Sequence, residues 1–569
     1  MRWLIIKKFR KNGNHQYLDV KEVEKEQLPL SLKLDKFFSK PIYRKSLDTI
    51  VILFFVLVVI GPIINIFSTI FLNIHAINRD VFNDELLGNL QWINILNSLG
   101  YSFTIAAIAV GIDIIIAFPI SIILTRYNFR GKKILDALVD LPMAVPTSAL
   151  GFSVLLFWAI FGIEPGFYLI IFGHIVFTFP YIVRNLKIVL EKTSTLYEEA
   201  AQTLGASGFT VFRTITLPLM KEGLIAGAIL SFTRSLGETG ATIILSGLVE
   251  TAPILIVGFR RQLELPSASL LAGILIAISL LLLFSIKFLT RKTGFPLKSV
   301  WPRIERFFSN KYLRHFRDFL ALSILLGVIL IPAFYITVEI IGENLIGEMF
   351  LGQDHKWAYL YVSFIYSVTI GALAVGFNLI FGLPFAFIIT KRKWGRVITL
   401  LDTILDIPIA IPSAALGFAT FLFWGPAGIG LFQSGFYMIL FVHIAFTFPY
   451  MVRPIIGVLE TSNVGVEEAA RTLGASNLTV FRKITLPNIK QGIIAGCIMV
   501  FTRSLGETGA TIVVMGNIRT VPVLIVDWVE ANAYASAIFA SVIIIIFSAV
   551  LIFALRAVKI KGVMSGFQQ

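Results

Sequence analysis

Four ionisable residues stand where charge is costly. Arg234 and Glu238, repeated as Arg503 and Glu507, belong to the string FTRSLGETGAT, which occurs identically at 232–242 and 501–511 inside otherwise apolar stretches. On a helix the i,i+4 spacing puts each arginine and its glutamate on one face, roughly 6 Å apart. Charged groups at membrane depth face a polar interior or one another. Two readings follow. In one, each pair is an intrahelical salt bridge, with Gly237 and Gly240 allowing close helix packing. In the other, the arginines or glutamates line or gate a solute pathway, where two symmetry-related guanidiniums would offer an anion charge-assisted hydrogen bonds.

Other polar residues lie nearby in the sequence. Pro142 and Pro146, matched by Pro408 and Pro412, interrupt a third apolar span in each half, and the carbonyls they free need partners. Thr147, Ser148 and Ser413 either contact a solute or satisfy that backbone. Asp140 and Asp406 read as interfacial caps near a cytoplasmic mouth. Asp113, replaced by Asn378 in the second copy, breaks the symmetry and is expected to pair with a neighbouring helix. His174 and His443 are matched, but no H-x-x-x-H spacing accompanies them, so a hydrogen-bonded structural role is expected and no metal site. The one cysteine, Cys497, excludes an intrachain disulfide framework and reads as a small packing residue.

The elements that must position these residues follow from composition. Of 569 residues, 56% are hydrophobic and 15% charged, with a mean hydropathy of +0.84. That is too apolar for a soluble globular protein. The net charge of +15 lies in short loops between apolar spans rather than on one soluble face, which excludes nucleic acid as the partner and follows the positive-inside rule. A helix needs about 20 apolar residues to cross the hydrocarbon. Spans are expected near 49–73, 98–124, 136–162, 167–190, 222–247 and 267–289, then near 318–341, 360–390, 398–424, 432–459, 491–516 and 533–556. The fold class is therefore all-α: a polytopic membrane protein with about twelve transmembrane helices in two parallel six-helix repeats. Basic loops at Arg126–Lys133 and Lys391–Arg396 place both termini in the cytoplasm of a multi-pass cell (plasma or inner) membrane protein. The expected domains are a cytoplasmic N-terminal extension, 1–46, too polar and long for a signal peptide; a first transmembrane domain, 47–290; a basic cytoplasmic linker, 291–316; and a second transmembrane domain, 317–569.

Between the spans lies a polar island, EEAAQTLGASGFTVFRTITLP from Glu198 to Pro218, which returns as EEAARTLGASNLTVFRKITLP from Glu467 to Pro487. Thr195 and Glu198 have the spacing of a capping box, Gly205 is placed to end a short helix with positive φ, and Ser207 can cap a second helix that Pro218 stops. In the second copy Asn463, Gly474, Ser476 and Pro487 take these parts. Both islands fit the pattern E-A-A, three residues, G, nine residues, I-x-L-P. The chain thus resembles the permease subunits of binding-protein-dependent, type I ABC importers, in a fused form, over nearly its whole length.

That resemblance implies that the bent helix pair docks in a groove of a cytoplasmic ATPase. The coupling residues would be Glu198, Glu199, Ala200, Ala201, Gly205, Leu217 and Pro218, with Glu467, Glu468, Ala469, Ala470, Gly474, Leu486 and Pro487. Two ATPase subunits and an extracytoplasmic solute-binding protein would be the partners, with the lipid bilayer as surroundings. The chain has no G-x-x-x-x-G-K-[ST], so no cofactor is expected in it; ATP and Mg would be bound by the partner ATPase, and the chain itself would not be an enzyme. The motif R-x-x-G-E-x-G-A is similar to that of molybdate, tungstate and sulfate permeases. The fusion of two halves is similar instead to iron(III) and thiamine permeases. An ion-gradient secondary transporter, which also favours repeats, is the rival from another class.

Overall fold

The computed structural model describes residues 41–292, 307–340, 347–351, 355–462 and 464–565. Most of the expected N-terminal extension, most of the linker, and the expected cap Asn463 lie outside the described residues. The described chain is helical, with no strand beyond an isolated bridge between Asp84 and Gly88. It resolves into two compact units, one of Val51–Glu460 with Gln491–Gln569, the other joining Thr461–Lys490 to Met1–Ile50.

Among the described residues ten helices are long and apolar enough to cross a membrane, and two bent pairs, each counted as one span, bring the number up to twelve. In the first half these are α1 (Lys45–Leu72), α2 (Leu90–Arg126), the pair α3 (Lys132–Ala144) and α4 (Thr147–Ala159), α5 (Phe167–Lys192), then after the short α6 (Leu196–Thr203) the long α7 (Gly208–Leu236). Two short helices follow, α8 (Gly240–Leu245) and α9 (Ala252–Arg261), before α10 (Leu265–Lys292). The second half repeats this order: α11 (Tyr312–Phe334), α12 (Lys356–Lys391), α13 (Arg396–Ala410), α14 (Ser413–Trp424), α15 (Phe436–Thr461), α16 (Val464–Thr472), α17 (Asn477–Leu505), α18 (Gly509–Val514), α19 (Val521–Glu530) and α20 (Tyr534–Ser565).

Proline explains two departures from the expected spans. Pro146 and Pro412 sit at breaks where the chain bends by 105° between α3 and α4 and by 110° between α13 and α14, far more than a kink. Pro218, by contrast, does not stop a helix. A π-helical stretch, Phe212–Thr216, precedes it, and Phe481–Thr485 does the same before Pro487. Widening the turn accommodates a residue that offers no N–H and whose ring crowds the preceding carbonyl, so the helix runs on. The fifth spans, expected to be continuous, in fact end at Leu236 and Leu505, and α8 and α18 start after breaks of three residues.

The first span of each half lies against the other half. The rings of Phe54 on α1 and Phe381 on α12 stack at 3.7 Å, and Phe55 packs on Phe385 and Phe448. A Cβ on Gly61 would lie 3.0 Å from Phe423 of α14. Reciprocally, the Ser153 hydroxyl of α4 donates to the Pro332 carbonyl of α11 at 2.7 Å and accepts from the Ile336 amide at 3.0 Å.

Candidate functional site

The breaks after α7 and α17 build the central site. Glu238 sits in the break rather than on a continuous helical face. Its carboxylate accepts from the Ala241 amide at 3.2 Å, supplying a partner for an orphan N–H of the first turn of α8. Its other oxygen lies 2.6 Å from Arg234. Glu507 repeats the arrangement, accepting from Ala510 at 3.1 Å and lying 3.6 Å from Arg503.

His174 splints the same break from α5. Its Nδ1 is 2.6 Å from the Ser235 hydroxyl before the break and its Nε2 is 3.1 Å from the Thr242 hydroxyl after it. His443 joins Ser504 and Thr511 in the same way, at 2.6 and 2.9 Å. Both histidines therefore have the structural role expected of them. Asp113 accepts from Thr178 at 2.5 Å, and its counterpart Asn378 donates to Thr447 at 2.7 Å, so the asymmetric pair serves one purpose: tying α2 to α5 and α12 to α15.

The two halves meet where these breaks converge. A Cβ on Gly240 would stand 2.7 Å from Thr508 and 2.9 Å from Thr147; one on Gly509 would stand 2.5 Å from Thr239 and 2.6 Å from Ser413. A Cβ on Gly237 would fall 2.9 Å from Pro412, and one on Gly506 3.3 Å from Pro146. Backbone thus presses on side chain across the seam, leaving no room for more. Thr147 and Ser148 are buried beside it, and the Ser148 and Thr508 hydroxyls have no hydrogen-bond partner among the described residues.

Charge is distributed unevenly here. The glutamates are 2% and 4% exposed, whereas Arg234 and Arg503 keep 16% and 23%. The member of each pair that meets open space is the cation, flanked by an aromatic face: Phe177 at 5.5 Å and Phe446 at 5.8 Å. Tyr181 and Tyr450 lie within electrostatic range of Arg503, though sequence reasoning did not single them out. Their presence in the matched FPYIVR and FPYMVR strings was the available signal.

Asp140 lies within α3, and Asp406, though at an N-cap position, makes no side-chain cap bond; arginines take both carboxylates. Arg184 binds Asp140 and, at 2.9 Å, Asp136; Arg453 binds Asp402 at 2.7 Å and Asp406 at 2.6 Å. An arginine fork satisfying two carboxylates holds α3 on α5 and α13 on α15.

In the first island the Thr195 side chain makes no cap bond, so no capping box forms. Glu198 is instead turned inward, 15% exposed, 3.0 Å from Arg126 and accepting from Thr216 at 3.1 Å. Glu467 is likewise buried and accepts from Thr485 at 2.9 Å. The turn matches expectation. Gly205 has φ +88° and Gly474 φ +87°. The Gly205 amide donates to Gln202 and the Ala206 amide to Ala201, a Schellman closure repeated by Gly474 to Arg471 and Ala475 to Ala470. Ser207 and Ser476 cap the following helices, accepting from Thr210 and Thr479 at 3.3 Å. Outward from the islands point Glu199 and Ala200, Glu468 and Ala469. So do two leucines that sequence reasoning missed, Leu204 and Leu473, 89% and 88% exposed.

Among the described residues no group of His, Cys, Asp and Glu is arranged to hold a metal. The family described as "Binding-protein-dependent transport system inner membrane component" matches residues 117–294 and again 382–559. The chain is 42% identical over 188 residues to the sulfate transport system permease protein CysT of Salmonella typhimurium, covering 30% of this chain and 68% of that one. It is 43% identical to CysT of Escherichia coli, also over 188 residues and with the same shares. With the molybdenum transport system permease protein ModB of Haemophilus influenzae the identity is 34% over 211 residues, 33% of this chain and 91% of the relative.

Proposed function

The chain belongs to the binding-protein-dependent transport system inner membrane components, and from that premise we propose that it forms the whole membrane pathway of an ATP-driven importer for an inorganic oxyanion of the sulfate or molybdate kind. The observation that carries the solute assignment is the uneven exposure of the central pairs. An arginine with residual access in each half, its charge held by a buried glutamate, suits a transient anion contact that must release its load. The relatives named above are sulfate and molybdenum permeases, so iron(III) or thiamine is not favoured.

Two ATPase subunits dock at the two islands in this reading and bind the ATP and Mg; a solute-binding protein delivers cargo on the opposite face; both termini are cytoplasmic. Glu199, Ala200, Leu204 and Gly205, with Glu468, Ala469, Leu473 and Gly474, form the docking surfaces. Glu198, Ala201, Leu217 and Pro218, with Glu467, Ala470, Leu486 and Pro487, hold those surfaces to the helices behind them. Closing and parting of the glycine-threonine seam beside Thr147, Ser148 and Ser413 alternates access.

The test is sulfate uptake into proteoliposomes holding the chain, its ATPase and its binding protein, with molybdate and tungstate as competitors. Uptake that ran on an ion gradient without ATPase would establish the secondary-transporter reading instead. Uptake indifferent to oxyanions would remove the solute assignment.

A further inference from the structure

Ahead of the first span of the second half stands Phe307-Phe308-Ser309, followed by Arg314 and Asp318. The same types at the same spacing, Phe37-Phe38-Ser39, Arg44 and Asp48, precede the first span of the first half. Residues up to Lys40 lie outside the described ones, so the structural case is the 307–318 copy.

That copy is fastened to the first island, which belongs to the opposite half. The Ser309 hydroxyl donates to the hydroxyl of Ser207, the residue that caps α7, at 2.8 Å. It also accepts from the Phe209 amide at 3.2 Å, one of the orphan donors at the start of that helix. Phe308 stacks on Phe209 with ring centres 5.1 Å apart, and Phe307 meets Phe308 edge-on at 5.3 Å. Tyr127, in the loop after α2, donates to Asp318 at 3.1 Å. Residues 41–50, which follow the first copy of the pattern, fall in one compact unit with the second island, more than 400 positions away in the chain.

We propose that Phe308 and Ser309 are positioning residues for energy coupling: the segment before α11 clasps the first island, so a push on that island moves the opposite half's first span together with its own α7. This rests on the proposed ATPase coupling. The physical reason is that an island held only by its own half would swing about Gly205 and the Ser207 cap. Completing the helix start with a hydroxyl from the other half fixes that hinge to both.

The test uses the full chain in proteoliposomes with its ATPase and binding protein. In a Cys497→Ala background, Ser207→Cys with Ser309→Cys should cross-link on mild oxidation, and the cross-linked protein should still transport. No cross-link, or a cross-link that blocks transport, overturns the clasp. Phe308→Ala with Ser309→Ala should lower solute moved per ATP by between about twofold and about thirtyfold, the range for altered coupling, while ATP turnover persists. Ser309→Thr alone, which keeps the hydroxyl, should retain the wild-type ratio. An unchanged ratio in the double variant overturns the positioning role. If the ATPase does not drive transport by the wild type at all, the proposed function fails, and cross-linking still decides the clasp.

Discussion

Adding one methyl group at the seam separates a moving contact from a static one. In Gly509→Ala the new Cβ would stand 2.5 Å from the Thr239 hydroxyl oxygen, 2.6 Å from its Cβ and 2.6 Å from the Ser413 hydroxyl. Carbon atoms pack at about 3.5–4.0 Å, so the neighbours must move by roughly 1 Å, and Thr239 is held by the backbone of the opposite half. Overpacking of this kind costs ~1–3 kcal/mol. If the seam parts during transport, that cost falls on the closed arrangement alone and shifts the closed-to-open ratio by about fivefold to about 150-fold. Sulfate leak from preloaded proteoliposomes without ATP should rise accordingly. Gly151→Ala is the control. Its Cβ would meet Ala241 of the same half at 2.6 Å, so it should lower the melting temperature by a similar free energy and leave the leak unchanged. Equal leak in both variants, or a Gly509→Ala protein that melts early without leaking, would refute the idea that the seam is the gate.

Other perturbations test the remaining roles. Glu198→Ala, which leaves Arg126 with only the Leu190 carbonyl among the partners described for it, should cost ~1–2 kcal/mol of stability in thermal unfolding, whereas Glu199→Ala should leave the melting temperature in place and weaken ATPase binding in a pull-down. His174→Ala removes both bonds across the break and should cost ~2–4 kcal/mol; a chelator should leave the melting temperature of the purified wild-type chain unaltered. Arg234→Gln with Arg503→Gln should abolish most uptake per folded protein, at a stability cost of ~3–5 kcal/mol for each pair, because Glu238 and Glu507 keep their amide partners but lose their counter-charge. Surviving transport with lost stability would make the pairs purely structural. Leu204→Asp should reduce coupling without affecting expression, checked by uptake against ATP turnover.

The repeats, the twelve spans and the island turns were legible because they rest on composition, period and glycine, all local properties. Gly205 and Ser207 were identifiable since a positive φ and a cap are single-residue requirements. The roles of charged residues were less so, because partners far along the chain decide them. Glu198 finds Arg126 and Asp140 finds Arg184 only once α2, α3 and α5 are assembled. Pro218 misled for a related reason: whether proline ends a helix depends on whether the preceding turn can widen, and periodicity does not report that. The broken fifth span was hidden by an apolar run that reads as continuous on either side of Gly237.

The exchanged first spans constrain how such a chain is made. α1 leaves the ribosome early, yet its counterpart surface on α14 is roughly 340 residues later, a delay on the order of tens of seconds at ordinary synthesis rates. For that interval Phe54, Phe55 and Gly61 lack the second-half partners they hold in the folded chain. Biogenesis of the first half is therefore unfinished until most of the second has been inserted, and a truncated product would be a natural target for membrane quality control.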